Sequence, residues 1–141
     1  MTPQTAQKIL ADNFAPWVLD LKLAVVEVGE RHAVLRLPWD ARLARDGGGM
    51  SGQALMAAAD TATVIAISAA RGAYGPMTTV QQSTSFQRAV VGADVLVDAR
   101  VTKLGRRMAF AEITLTAEGE GEGEMADGPA ARASAVYALL G

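Results

Sequence analysis

Asp60 is the residue of this chain hardest to explain as packing. It stands midway along GGGMSGQALMAAADTATVIAISAARG, Gly47 to Gly72, a run of small and apolar residues. An ionised carboxylate there is costly to desolvate unless it is paired or faces a wet cleft, which marks it as the first place to look for chemistry. The plainer alternative puts one side of the segment in solvent with Asp60 on it, since structural networks also hold carboxylates. Gln53 lies seven residues before Asp60 and Thr63 three after it, so on a helix these polar side chains share one stripe, which reads as a cleft wall. Other catalytic chemistries are scarce. The chain has no cysteine, which removes thiol nucleophiles, disulfides and cysteine-based zinc sites. Its single histidine, His32, leaves no metal site or mechanism that needs two imidazoles from one chain. His32 starts a strand with no acidic neighbour to orient it and reads as a surface residue.

The element that must position Asp60 is a helix. Three glycines and Ser51 open it, and about five turns follow, at roughly 3.6 residues per turn, with almost no polar break, the mark of a helix buried nearly all round. Ahead of it, Thr2 and Pro3 start a short helix, a capping hydroxyl with proline at the first helical position. Ile9, Leu10 and Phe14 supply its apolar stripe, and it ends near Asn13, stopped by Pro16. Two strands, Leu21 to Val28 and His32 to Leu37, form a hairpin through Gly29 and Glu30. Alternation puts Ala33, Leu35 and Leu37 on a core and leaves His32 with the outer set.

Pro38 ends that strand, and a polar link from Trp39 to Gly49 leads to the long helix. Beyond the turn signal Gly75-Pro76, MTTVQQSTSFQRAVVG is extended but polar on both faces. Such a strand suits an edge that pairs with another subunit, or the wall of a binding site. Val95 to Lys103 and Arg107 to Thr116 each carry an alternating apolar face, Val95, Val97, Ala99 and Val101 in one and Ala109, Ala111, Ile113 and Leu115 in the other. Leu104, Gly105 and Arg106 join them. EGEGEGEMADGP, Glu118 to Pro129, reads as a solvated acidic loop and Ala130 to Leu140 as the last strand. Strand hairpins with one long helix give an α+β single-sheet fold, one domain over residues 1–141, not a parallel βαβ arrangement.

A chain of 141 residues can build a single core without metal or disulfide support. With half its residues hydrophobic and a formal charge of −2, it offers neither a basic nucleic-acid surface nor an acidic tail, which points to a small molecule or a second copy of itself as partner. MTPQTAQKIL holds one lysine and no apolar core of a signal peptide. The apolar run from Gln53 to Ala70 is long enough to span a membrane but is mostly alanine, and a central aspartate costs about 2.5 to 3.5 kcal/mol there. A soluble, cytoplasmic protein with no membrane partner is expected.

Three segments carry a resemblance. GMSGQALMAAADTA is similar to a pattern of Gly, His, Gly, Gly, a spacer and Ala-Asp-Thr-Ala; TTVQQSTSFQRAVVGADV to a Thr-Val strand ending in Ser-Phe, a basic or polar residue, Pro and Gly; ARVTKLGRRMAFAEI to a Leu-Gly-Arg hairpin. In that order and spacing the chain, from Phe14 to Leu140, resembles the hot-dog fold thioesterase superfamily, in the branch of the phenylacetate-pathway acyl-CoA thioesterases. The resemblance implies an antiparallel sheet wrapped around one long central helix, a dimer, and hydrolysis of an acyl-CoA. Two positions depart from the pattern. Ser51, Gly52 and Gln53 stand where His-Gly-Gly is usual, and Arg45, beside Asp46, stands where many members have asparagine.

Thioester hydrolysis needs a group to activate water or attack the carbonyl, and donors aimed at the oxygen where negative charge develops. Asp60 is the base or the nucleophile. The Gly52 N–H, unpaired at a helix start, is the donor that polarises the carbonyl. Ser51 caps the helix, or its hydroxyl takes over part of the missing histidine's task. Thr79 matches the position whose hydroxyl helps place water. Gly52 and Asp60 are eight residues apart on one helix, about 12 Å at 1.5 Å per residue, so they cannot serve one site within one chain. Two antiparallel helices in a two-fold homodimer, alone or as a dimer of dimers, would join Gly52 of one chain to Asp60 of the other. Arg88, Lys103, Gly105, Arg106 and Arg107 are the candidates for the CoA phosphates. No metal and no cofactor is expected, CoA being part of the substrate. A non-hydrolytic acyl-CoA binder is the alternative from another class. A hydratase would need His32 as catalyst.

Overall fold

The computed structural model describes residues 1–119 and 128–141. Most of the acidic segment, read from the sequence as a solvated loop, therefore lies outside the described residues. Helix α1, Pro3–Asn13, starts as its sequence dictates, with Thr2 Oγ1 accepting from the Thr5 N–H at 3.1 Å and Pro3 in the first turn. Pro16 does more than stop it. Proline is as good at a first helical position as it is bad inside, and a second short helix, α2, runs Pro16–Leu19. Lys22 then adopts a left-handed φ of 60°, so strand β1 begins at Ala24, not Leu21, and runs to Val28. Leu21 and Leu23 turn into the core instead.

Strand β2, His32–Leu37, has the boundaries its alternation predicts, with Ala33, Leu35 and Leu37 buried. The β1–β2 link is residues 29–31, one longer than expected, because the Gly29 N–H bonds the His32 carbonyl at 2.8 Å and moves the tip to Glu30 and Arg31. After a 3₁₀ turn at Ala41–Leu43 comes helix α3, Gly52–Arg71. Strands β3 (Met77–Phe86), β4 (Val95–Leu104), β5 (Met108–Ala117) and β6 (Ala131–Leu139) follow. All pairings are antiparallel, in the order β1-β2-β4-β5-β6-β3, one six-stranded sheet with β1 and β3 at its edges.

The core lies between that sheet and α3, the arrangement of the hot-dog fold. Leu35 and Leu37, Val95 and Val97, Ile113 and Leu115 come from the sheet, and Ala58, Ala62, Ile65 and Ala66 from the helix, all fully or almost fully buried. Truncating one of the large ones costs about 2 to 5 kcal/mol. Buried hydroxyls on α3 are satisfied locally. Thr61, Thr63 and Ser68 each donate at 2.8 Å to the carbonyl four residues back, that of Ala57, Ala59 and Val64. The helix has the length and apolarity to cross a membrane, yet two thirds of it is packed inside this fold.

Helix α3 starts where its sequence indicates, at Gly52 behind the Ser51 cap. Gly47 and Gly48, at φ 96° and 92°, reverse the chain ahead of it so that Ala44 bridges Met50. Two expectations about α3 change. It is not buried all round, because Gln53 and Met56 are exposed and Ala57 and Asp60 half-buried, a stripe at helical spacing. Thr63 is off that stripe, fully buried on its bond to Ala59.

Candidate active site

The open edge strand β3 runs beside the exposed stripe of α3 and fixes its acid. Thr79 Oγ1 donates to Asp60 Oδ1 at 2.9 Å, and the Tyr137 hydroxyl donates to the same oxygen and lies 3.2 Å from the Asp60 main-chain carbonyl. Thr79 and Tyr137 are cross-strand partners in the β3–β6 ladder, so their side chains leave one face together. Just beyond Thr79 the register slips, and Val80 bulges out, 56% exposed. The bulge resets the phase, so that Gln82 faces the helix again, its Nε2 donating to the Met56 carbonyl at 3.2 Å. The strand shows no clean alternation because both of its faces are exposed along most of its length. Further along, the Phe86 ring lies against Gly52, where an added Cβ would come 3.2 Å from Cζ.

Tyr137 was not singled out by the sequence, where it sits inside an alternating apolar strand. The one signal is that a phenol on a core face needs a hydrogen-bond partner. It is only 2% exposed. Burial first, and the nearby Asp60 charge second, push its ionisation far above the ordinary range, so it stays a donor.

At the helix start, Ser51 Oγ accepts from the Ala54 N–H at 3.2 Å, so its structural role as cap is filled. Among the described residues no acceptor is bonded to the Gly52 or Gln53 N–H. An open cleft of about 410 Å³ adjoins this end, lined by Arg45, Gly52, Leu55, Phe86 and Arg88. Gln53 points into a second recess of about 270 Å³, shared with Trp17, Leu21, Leu43 and Ala54.

The basic residues are divided between two ends of the sheet. The Arg88 N–H bonds the Ala130 carbonyl where β6 begins, and the Leu139 N–H bonds the Arg107 carbonyl where β6 finishes. Arg88 and Arg45 therefore belong with Gly52, while Lys103, Gly105, Arg106 and Arg107 belong with Asp60, Thr79 and Tyr137. Gly105 serves the turn itself, since a Cβ there would sit 3.1 Å from the Met108 carbonyl oxygen. The link it occupies is Gly105–Arg107, one residue later than expected. His32 lies on the outer face of the sheet, away from α3, and does have an acidic neighbour. Glu27 Oε2 is 2.6 Å from its Nε2 across the hairpin, a pairing that the separation of five residues hid.

Residues 47–124 match the model of the family described as thioesterase superfamily. The chain belongs to the thioesterase superfamily. No curated protein matches it. Among solved structures it is similar to a conserved protein of Pseudomonas aeruginosa, at 28% identity over 90% of this chain and 95% of that one, with a TM-score of 0.79. Zebrafish thioesterase superfamily member 2 is similar at 25% identity, with 99% of both chains covered and a TM-score of 0.82. The PaaI protein from the phenylacetic acid degradation operon of E. coli shares the fold, at 17% identity over 98% of this chain and 92% of that one, TM-score 0.81. In this thioesterase-superfamily chain the matched region holds Gly52, Asp60, Thr79 and the β4–β5 hairpin but ends before Tyr137.

Proposed function

We propose that the protein hydrolyses a small, medium-chain or aryl acyl-CoA to the free acid and CoA, at two equivalent sites shared across a homodimer. The observation that carries this reading is the placement of Asp60, anchored by Thr79 beside an unpaired edge strand, about 12 Å along the helix from the free Gly52 N–H. Within one chain the two cannot meet. A second copy lying antiparallel brings Gly52 of one protomer to Asp60 of the other. The same two-fold brings Arg45 and Arg88 of one protomer toward Lys103, Arg106 and Arg107 of its partner, a split basic rim suited to phosphates. The apolar recess beside Gln53 is the space for the acyl group.

In that site the Gly52 N–H, at the positive end of α3, stabilises the oxyanion of the thioester carbonyl. Asp60 takes a proton from water as the water oxygen bonds the carbonyl carbon. The tetrahedral intermediate then breaks its C–S bond, and the thiolate leaves with that proton as CoA thiol. Direct attack by the carboxylate, with hydrolysis of the resulting anhydride, gives the same products.

Steady-state assays on a panel of short, medium and aryl acyl-CoAs test the reading. Asp60→Asn is expected to lower kcat about 10² to 10⁴-fold. Equal rates for the two proteins remove Asp60 from the mechanism. The Ser51 cap favours one second reading, an acyl-CoA binder without turnover, because that side chain is already engaged with Ala54. Tight CoA-ester binding with no product formed would establish it.

A further inference from the structure

We propose that Tyr137 is a positioning residue: together with Thr79 it occupies Oδ1 of Asp60 and so presents Oδ2 as the oxygen that works on the substrate. What Oδ2 acts on rests on the thioesterase reading above; the positioning itself rests on the geometry. Both donors go to one carboxylate oxygen, and among the described residues the other has no hydrogen-bond partner. An aspartate carboxylate is broadly free about its last torsion, and its two oxygens are equivalent until something distinguishes them. Two hydroxyls fixed on neighbouring strands do so.

Neither donor is loose. Tyr137 lies on β6 between Thr79 of β3 and Ala109 of β5, with its ring buried. Asp60 from α3 and Thr79 from β3 are the polar groups that face its hydroxyl. Thr79 is held at the foot of the β3 bulge. A phenylalanine at position 137 would fill the same core volume, so packing alone gives no reason for the hydroxyl. Fixing one oxygen leaves Oδ2 without a partner among the described residues, on a half-buried side chain of the α3 stripe. It does remove the unproductive orientations that a free carboxylate would visit.

The test has two arms. In steady state, Tyr137→Phe is expected to lower kcat about 10- to 100-fold while KM stays within about twofold, the pattern of lost orientation rather than lost binding. An unchanged kcat overturns the proposal. The second arm needs no activity. The chain has two tyrosines, so in a Tyr74→Phe background the ring-carbon NMR signals of tyrosine report Tyr137 alone. Adding Asp60→Asn is expected to shift the Tyr137 Cζ resonance at neutral pH, because the hydroxyl loses a charged acceptor. A resonance that does not move breaks the Asp60–Tyr137 pairing and overturns the proposal. If the wild-type protein hydrolyses no thioester, the proposed function falls, and that resonance alone decides whether Tyr137 holds Asp60.

Discussion

At Gly52 the group proposed to act is a backbone N–H, which side-chain truncation cannot remove. Proline can. Gly52 opens the first turn of α3, where proline is tolerated, and Ser51 before it already has the extended φ −66°, ψ 147° that proline demands. Gly52→Pro is expected to keep the fold and lower kcat about 10² to 10³-fold, while Gly52→Ala, with a Cβ but an intact N–H, loses far less. Equal losses in the two variants would assign the effect to crowding of Phe86. Tyr137 carries a pH prediction of its own. Its phenol ionises far higher in the native chain than the ordinary value near 10, so its contribution to stability is complete below about pH 10 and is lost as pH rises beyond. Urea titrations at increasing pH should show a fall in unfolding free energy that Tyr137→Phe lacks; identical slopes would contradict it. As candidates, Asp60 and Gly52 stood out in the sequence as a charge in an apolar helix and a glycine at its start, whereas Thr79 was reached through the resemblance of its strand to the family pattern. Tyr137 obeys its strand's pattern, and nothing in sequence separates a core tyrosine from one that holds a carboxylate. Thr63 was misplaced for the complementary reason, since its hydroxyl bonds its own helix and leaves it free to be buried.

At the scale of elements, α3, β3 and β6 bring Asp60, Thr79 and Tyr137 together and the remaining strands hold them. Ser51 shows how sequence and structure divide here. Its position announced a cap, and the structure places its hydroxyl on the Ala54 N–H. Ser51→Ala is expected to cost about 1 kcal/mol and to lower Tm by about 3 to 5 °C, with kcat within about tenfold of wild type. Unchanged stability with activity lost would make the hydroxyl catalytic instead. Strands β2, β4 and β5 were readable from alternation because one face of each packs on α3 and the other does not. Strand β3 shows no alternation because it is exposed on both faces along most of its length. What alternation cannot show is a break in the backbone. The left-handed Lys22 shortens β1.

For the whole molecule, the residues of the proposed site fall into two groups at opposite ends of the sheet. One end of the sheet carries Asp60, Thr79, Tyr137 and the basic β4–β5 hairpin; the other carries Gly52, Phe86, Arg45 and Arg88. Between them β3 leaves its backbone edge unpaired, with Val80 and Phe86 at least half exposed on it. An edge of this length invites pairing with another strand. The thioesterase-superfamily membership and the sheet around one helix were legible from three short segments in order, because those segments are the helix start, the edge strand and the hairpin that face the site. The dimer was argued from helix rise alone, and subunit complementation tests it most directly. Asp60→Asn and Gly52→Pro are prepared separately, then unfolded and refolded together. If each site takes Asp60 from one protomer and Gly52 from its partner, mixed dimers regain one intact site, and random pairing restores about a quarter of wild-type kcat. If both residues served one chain, the mixture would show only the average of its two inactive parents, and the shared site would be refuted.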